Sequence, residues 1–162
     1  MRESAMKIAL IIGTRPEAIK LWPVILELRK TSYELTIICT GQQREILSET
    51  LLDLNIDVNV DLQLMSKDLN LSNFFNLATE KIGNVLEEIK PALVIVQGDT
   101  SSALAGAVAS HLLGLPVGHV EAGLRSGDLT SPWPEEGNRR IIDSVSTFLW
   151  VPTDDEDFGK ND

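Results

Sequence analysis

The sequence predicts a three-layer α/β/α fold around a parallel sheet of about six strands. Two observations predict it. Short runs that are apolar throughout, such as MKIALII at 6–12 and LVIVQ at 93–97, alternate with longer segments of helical periodicity. Uninterrupted apolar runs suit strands covered on both faces, and such strands are parallel. The runs also end alike, in glycine and small polar residues: Gly13-Thr14-Arg15, Thr40-Gly41-Gln42, Gly98-Asp99-Thr100 and the 119–139 segment. In a doubly wound sheet these ends converge on one edge, where ligands bind.

Each element has its own justification. Residues 6–12 form the first strand, closed by Gly13. Residues 16–30 follow as a helix, with Pro16 in the first turn, where its missing N–H is harmless. Ile19, Trp22, Leu26 and Arg29 share one side of it, and Pro23 is expected to kink or divide it. Residues 34–39 (ELTIIC) are the second strand. Residues 43–54 are a helix with Ile46, Leu47, Thr50, Leu51 and Leu54 on its apolar face, and 59–62 a short third strand. Residues 69–89 form a long amphipathic helix with Ser72 as its N-cap. Residues 93–97 are the fourth strand. Residues 101–113 are an alanine-rich helix closed by Gly114. Residues 117–120, 135–145 and 147–151 read as strand, helix and strand. Right-handed crossovers and a Rossmann-like strand order, 3-2-1-4-5-6, complete the expectation.

The chain has 162 residues, enough for one domain that buries about two thirds of its unfolded surface. Residues 6–151 are that domain. Residues 1–5 read as a tag or disordered start, and 152–162, with five acids, as a solvated tail or the opening of a connector. The net charge of −10 argues against nucleic acid or an anionic membrane as partner. Local arginines and helix N-termini still suit a small anion. The single cysteine, Cys39, lies in an apolar run, so no disulfide forms within the chain and a cytoplasmic location fits. No apolar stretch reaches the roughly 18 residues of a membrane span, and no signal-peptide pattern opens the chain. The two histidines, His111 and His119, have no metal-ligand spacing.

Three segments carry chemistry. Gly13-Thr14-Arg15-Pro16-Glu17-Ala18-Ile19-Lys20 is a strand–turn–helix start with Arg15 beside free helix N–H groups, which suits an anion. It is neither GxGxxG nor a P-loop. Gly98-Asp99-Thr100-Ser101 sets a carboxylate directly before a helix. Asp99 is an N-cap on the plainest reading, and an acid/base group on the functional one. The 119–139 segment offers Glu121 at a strand end and Glu135 and Glu136 at a helix start. Arg125, Arg139 and Arg140 can neutralise these acids or hold a phosphate. His119, within the strand pattern, reads as a satisfied, partly buried histidine.

Taken together, GTRPEAIK at 13–20, QGDTSS at 97–102, GHVEAGLRSGDLTSPWPEEGNRR at 118–140 and FLWVPT at 148–153 resemble the non-hydrolysing UDP-N-acetylglucosamine 2-epimerases. The likeness covers residues 6–155. It implies the N-terminal half of a two-domain GT-B-type fold, with the C-terminal nucleotide-binding domain absent from these residues. It implies a homodimer that interconverts UDP-GlcNAc and UDP-ManNAc for cell-surface polysaccharide, with no nicotinamide and no metal. Asp99, Glu121 and Glu135 correspond to the family's functional carboxylates. Arg15, Lys20, Arg125 and Arg139 are the charged groups expected near substrate. The family usually has Gln-His-Arg where this chain has Gln42-Gln43-Arg44. Gln42 and Arg44 are the residues the likeness would place at an allosteric UDP-GlcNAc. The chain alone is expected to be inactive. The competing readings are a glycosyltransferase half-domain and a non-catalytic dimerising or sugar-nucleotide-binding module. Apolar residues near Trp133 and Trp150 are expected to be exposed.

Overall fold

A computed structural model of the chain describes residues 5–42, 44–64 and 69–152, with the side chains of Arg44 and Glu45 outside the description. The expectations for residues 1–4 and 153–162 lie outside it too. In order, the elements are β1 Lys7–Ile12, α1 Arg15–Leu28, β2 Glu34–Cys39, α2 Arg44–Asp53, β3 Val60–Asp61 and α3 Leu71–Ile89. Then come β4 Leu93–Gln97, α4 Ser101–Leu112, β5 Val117–Val120, α5 Glu135–Val145 and β6 Phe148–Trp150. All strand pairs are parallel, in the order β3-β2-β1-β4-β5-β6, as the sequence predicts.

Two apolar clusters flank this Rossmann-like sheet. On one face Leu10, Ile12 and Ile37 meet Leu21 and Ile25 of α1 and Leu47 and Leu51 of α2. On the other, Ile11, Val94 and Val96 meet Phe74, Ala78, Ile82 and Leu86 of α3, the alanines of α4, and Ile142 of α5. The apolar stripe of α3 is therefore core. Cys39 lies in the first cluster, and burial pushes its thiol up to about 11, so it packs as a small apolar group.

Four local expectations are corrected. The buried face of α1 is Ala18, Leu21 and Ile25, one residue out of phase with Ile19, Trp22 and Leu26. Ile19 is 47% exposed, while Trp22 lies at the margin and donates its indole N–H to the Leu54 carbonyl at 3.0 Å. Pro23 does not divide α1. It sits on the exposed side of the helix, away from the sheet. On α2, Ile46 is exposed and Leu47 and Leu51 carry the packing. The N-cap of α3 is Asn70, whose side-chain oxygen accepts from the Asn73 N–H at 2.9 Å, and Ser72 falls inside the helix. Exposure near both tryptophans is as expected: Trp133 is 70% exposed, and Phe148, Leu149 and Trp150 of the edge strand β6 are all exposed.

Candidate active site

The C-terminal ends of β1, β4 and β5 open into a cleft of about 490 Å³, lined among others by Lys20, Gln97, Asp99, Glu121, Glu135 and Arg139. Gly13 lies just before Thr14 and Pro16, which line it. A Cβ there would overlap the hydroxyls of Ser102 and Thr40, so only glycine lets α4 start this close to β1. Those two hydroxyls share a 2.7 Å hydrogen bond. Ser102 donates its hydroxyl to Gln42 Oε1 at 2.7 Å, and its N–H reaches the same oxygen at 3.3 Å.

Glu17, in the first turn of α1, is almost wholly buried. Its carboxylate accepts from the Gly13 and Thr14 N–H groups, each at 2.6 Å, and from the Thr100 hydroxyl at 2.5 Å. One side chain thus ties the start of α1 to the cap of α4, where Thr100 Oγ1 accepts from the Ala103 N–H at 3.0 Å. Thr100, not Asp99, is the N-cap of α4. Among the described residues no cation reaches Glu17, and burial pushes its carboxyl above the ordinary 4.5 despite those three donors.

Asp99 follows Gly98, whose φ of +71° turns the chain from β4 toward α4. Its carboxylate pairs with Arg139 of α5, and its carbonyl accepts from Asn138 Nδ2 at 2.8 Å. Glu121 follows β5 with φ at +66°, a left-handed conformation costly for a side chain with a Cβ. Its Oε2 accepts from Lys20 Nζ at 2.5 Å and from the Gln97 amide. Glu135 opens α5, and among the described residues its carboxylate has no hydrogen-bond or ion-pair partner.

Behind this front lies Glu136, wholly buried. It accepts from the Ser126 N–H at 2.9 Å, from Arg139 at 3.1 Å and from Arg140 Nε at 2.9 Å. Burial works against its charge, but the backbone N–H and the two guanidinium groups outweigh that and hold its carboxyl below the usual range. Arg139 therefore bridges a buried carboxylate and Asp99 in the cleft.

Of the residues singled out in the sequence, Asp99, Glu121, Glu135, Lys20 and Arg139 line one cleft, with Gln42 at its border. Arg15 is exposed at the first position of α1 and Arg125 is turned to Asp143 at 2.7 Å, and neither lines the cleft. Arg44 opens α2, and its side chain lies outside the description. Sequence reasoning missed Glu17, Gln97, Asn138 and Asp143, and it named Glu136 at the helix start without its burial. For Glu17 a signal existed: Thr14-x-x-Glu17 is capping-box spacing. Chemically, the cleft presents carboxylates on two strand ends and a helix start, each at a separate position, with cations beside two of them. That is a set suited to moving protons at an anionic ligand.

Residues 26–157 match the family of UDP-N-acetylglucosamine 2-epimerases. The chain belongs to that family. It is 42% identical to the UDP-N-acetylglucosamine 2-epimerase of Neisseria meningitidis over 93% of its own length and 41% of that protein's. Against the epimerase of Escherichia coli K12 the identity is 41%, over 92% of this chain and 40% of that one. The solved Neisseria meningitidis epimerase bound to UDP-GlcNAc superposes with a TM-score of 0.88 at 42% identity, over 91% of this chain and 40% of that one. The Methanocaldococcus jannaschii epimerase in complex with UDP-GlcNAc and UDP gives 0.87 at 40% identity, over 91% and 41%. The chain thus spans about 40% of the length of the curated epimerases it matches. Family membership sets aside the glycosyltransferase half-domain.

Proposed function

We propose that this chain supplies the acid/base half of an enzyme that interconverts UDP-GlcNAc and UDP-ManNAc. The observation that carries the reading is the single cleft holding Asp99, Glu121 and Glu135 beside Lys20 and Arg139. The reaction proceeds in two halves. A carboxylate takes the proton from C2 of the sugar as the C1–O bond to UDP breaks, giving 2-acetamidoglucal and free UDP. UDP then adds back at C1 while an acid delivers a proton to the opposite face of C2. Inversion demands two proton-transfer groups on opposite faces, and carboxylates spread over β4, β5 and α5 meet that demand. Lys20 and Arg139 orient Glu121 and Asp99 and offset negative charge near the leaving diphosphate. Family resemblance supports a second, nucleotide-binding domain across the cleft, a homodimer, a cytoplasmic location and a role in cell-surface polysaccharide synthesis. It also supports Arg15 and Arg125 as substrate contacts once that domain is present, and Gln42 and Arg44 as allosteric ones.

The test is proton NMR of UDP-GlcNAc in D₂O, following deuterium entry at C2 and the appearance of UDP-ManNAc. A form extended by the second domain exchanges and epimerises, and the 162-residue chain alone does neither. Asp99→Asn and Glu121→Gln in the extended form each cut exchange by roughly 10²-fold or more. Exchange that survives both substitutions would sink the assignment of the acid/base groups.

A further inference from the structure

His119 takes no part in the chemistry above, yet it is wholly buried between the two strand ends that carry Asp99 and Glu121. Its Nε2 lies 2.7 Å from the Gly98 carbonyl oxygen, which can only accept, so Nε2 carries a proton. Its Nδ1 lies 2.6 Å from Asp143 Oδ1. The other oxygen of Asp143 accepts from Arg125 Nη1 at 2.7 Å and from the Gly123 N–H at 3.1 Å. Burial works against the Asp143 charge, but hydrogen bonds from His119 and Arg125 hold its carboxyl below the usual range. Both ring nitrogens are thus engaged, one by a main-chain carbonyl and one by a buried carboxyl.

We infer that the His119–Asp143 pair is a positioning device fixing Asp99 and Glu121 relative to each other. The connections are direct. His119 stands two residues before Glu121 and holds the carbonyl of Gly98, the residue before Asp99. Asp143, on α5, holds Gly123, two residues after Glu121. Both carboxylates are thereby referred to one buried hydrogen-bonded pair. The charged groups that face it are Asp143 from α5 and, on its far oxygen, Arg125 from the following loop. The cross-strand neighbours of His119, Val96 on β4 and Leu149 on β6, are apolar.

The positioning role rests on the acid/base function proposed above. In a full-length epimerase containing these residues, His119→Asn and Asp143→Asn each lower kcat by roughly 10²-fold with little change in KM. The double variant is no worse than the worse single one. A folded His119→Asn enzyme with unchanged kcat overturns the positioning role, and if that variant does not fold, Asp143→Asn decides it. An inactive wild type removes the proposed function, whereas an active wild type with an unchanged His119→Asn variant removes the positioning role alone.

Discussion

Glu17 and Glu136 are the same residue type, both buried, both in the first turn of a helix, and they meet opposite fates. Glu17 is surrounded by neutral donors, two backbone N–H groups and a hydroxyl, and its carboxyl is pushed up. Glu136 has one backbone N–H and two guanidinium groups, and its carboxyl is held down. The lesson is about which partners outweigh desolvation. Hydrogen bonds and a helix N-terminus do not offset desolvation of a buried carboxyl here, and full countercharges do. The first site is a structural pin that tolerates a proton. The second anchors Arg139, which in turn reaches Asp99.

The largest effect expected from this contrast is at Glu136. Glu136→Gln leaves two arginines without their buried partner and costs about 3–5 kcal/mol, read from urea unfolding midpoints at unchanged slope. A cost near zero would mean that the arginines find water instead and that the two sites do not differ as described. Next is Glu17. Removing the side chain in Glu17→Ala strands three donors and costs about 2–3 kcal/mol. Glu17→Gln keeps an acceptor for the N–H pair and turns its amide N–H to Thr100, whose hydroxyl then accepts instead of donating, and it stays within about 1 kcal/mol of the parent. Equal losses for Ala and Gln would show that Glu17 needs its charge.

The pH dependence sharpens the comparison, because the two sites run in opposite senses. A carboxyl raised in the folded state binds its proton more tightly there than in the unfolded chain. The stabilisation from Glu17 is therefore complete below its ordinary 4.5 and is lost as pH rises through the raised value. Glu136 is lowered, so its contribution is present above 4.5 and is lost as pH falls through the folded value. Relative to its own Gln variant, the parent should lose stability with rising pH at Glu17 and gain it at Glu136. Parallel curves would remove the contrast. The smallest effect is at the Lys20–Glu121 pair, which is partly exposed. Lys20→Met changes stability by less than about 1 kcal/mol, while C2 exchange in the extended enzyme falls. A large loss of stability would make Lys20 a structural residue.

Much of the architecture was legible in the sequence, because parallel strands buried on both faces must be apolar at every position. The sheet order followed from those runs and the rules of right-handed connection. The phase of α1 was not legible, since residues 18, 21 and 25 and residues 19, 22 and 26 have the same helical spacing, and only the docked helix selects one set. The cleft carboxylates Asp99, Glu121 and Glu135 stood out as acids at strand ends and a helix start. Glu17 and Asp143 did not, and Glu136 stood out only as a partner of Glu135, because their roles depend on partners brought in by the fold. The Glu17–Thr100 hydrogen bond spans 83 positions, and His119 and Asp143 are 24 apart. Burial, which decides whether such an acid is a solvated cap or a buried anchor, is set by how α4 and α5 dock on the sheet.

Glu121 sets two demands against each other at one position. The backbone, at φ +66°, prefers glycine, and the side chain joins Lys20 and Gln97 in the cleft. A protein engineer ranking substitutions by thermal tolerance would choose glycine at 121 and would gain stability from it. The same choice would delete the carboxylate. Position 121 is thus a place where an algorithm rewarded for sturdiness alone would design away the feature that makes the domain useful.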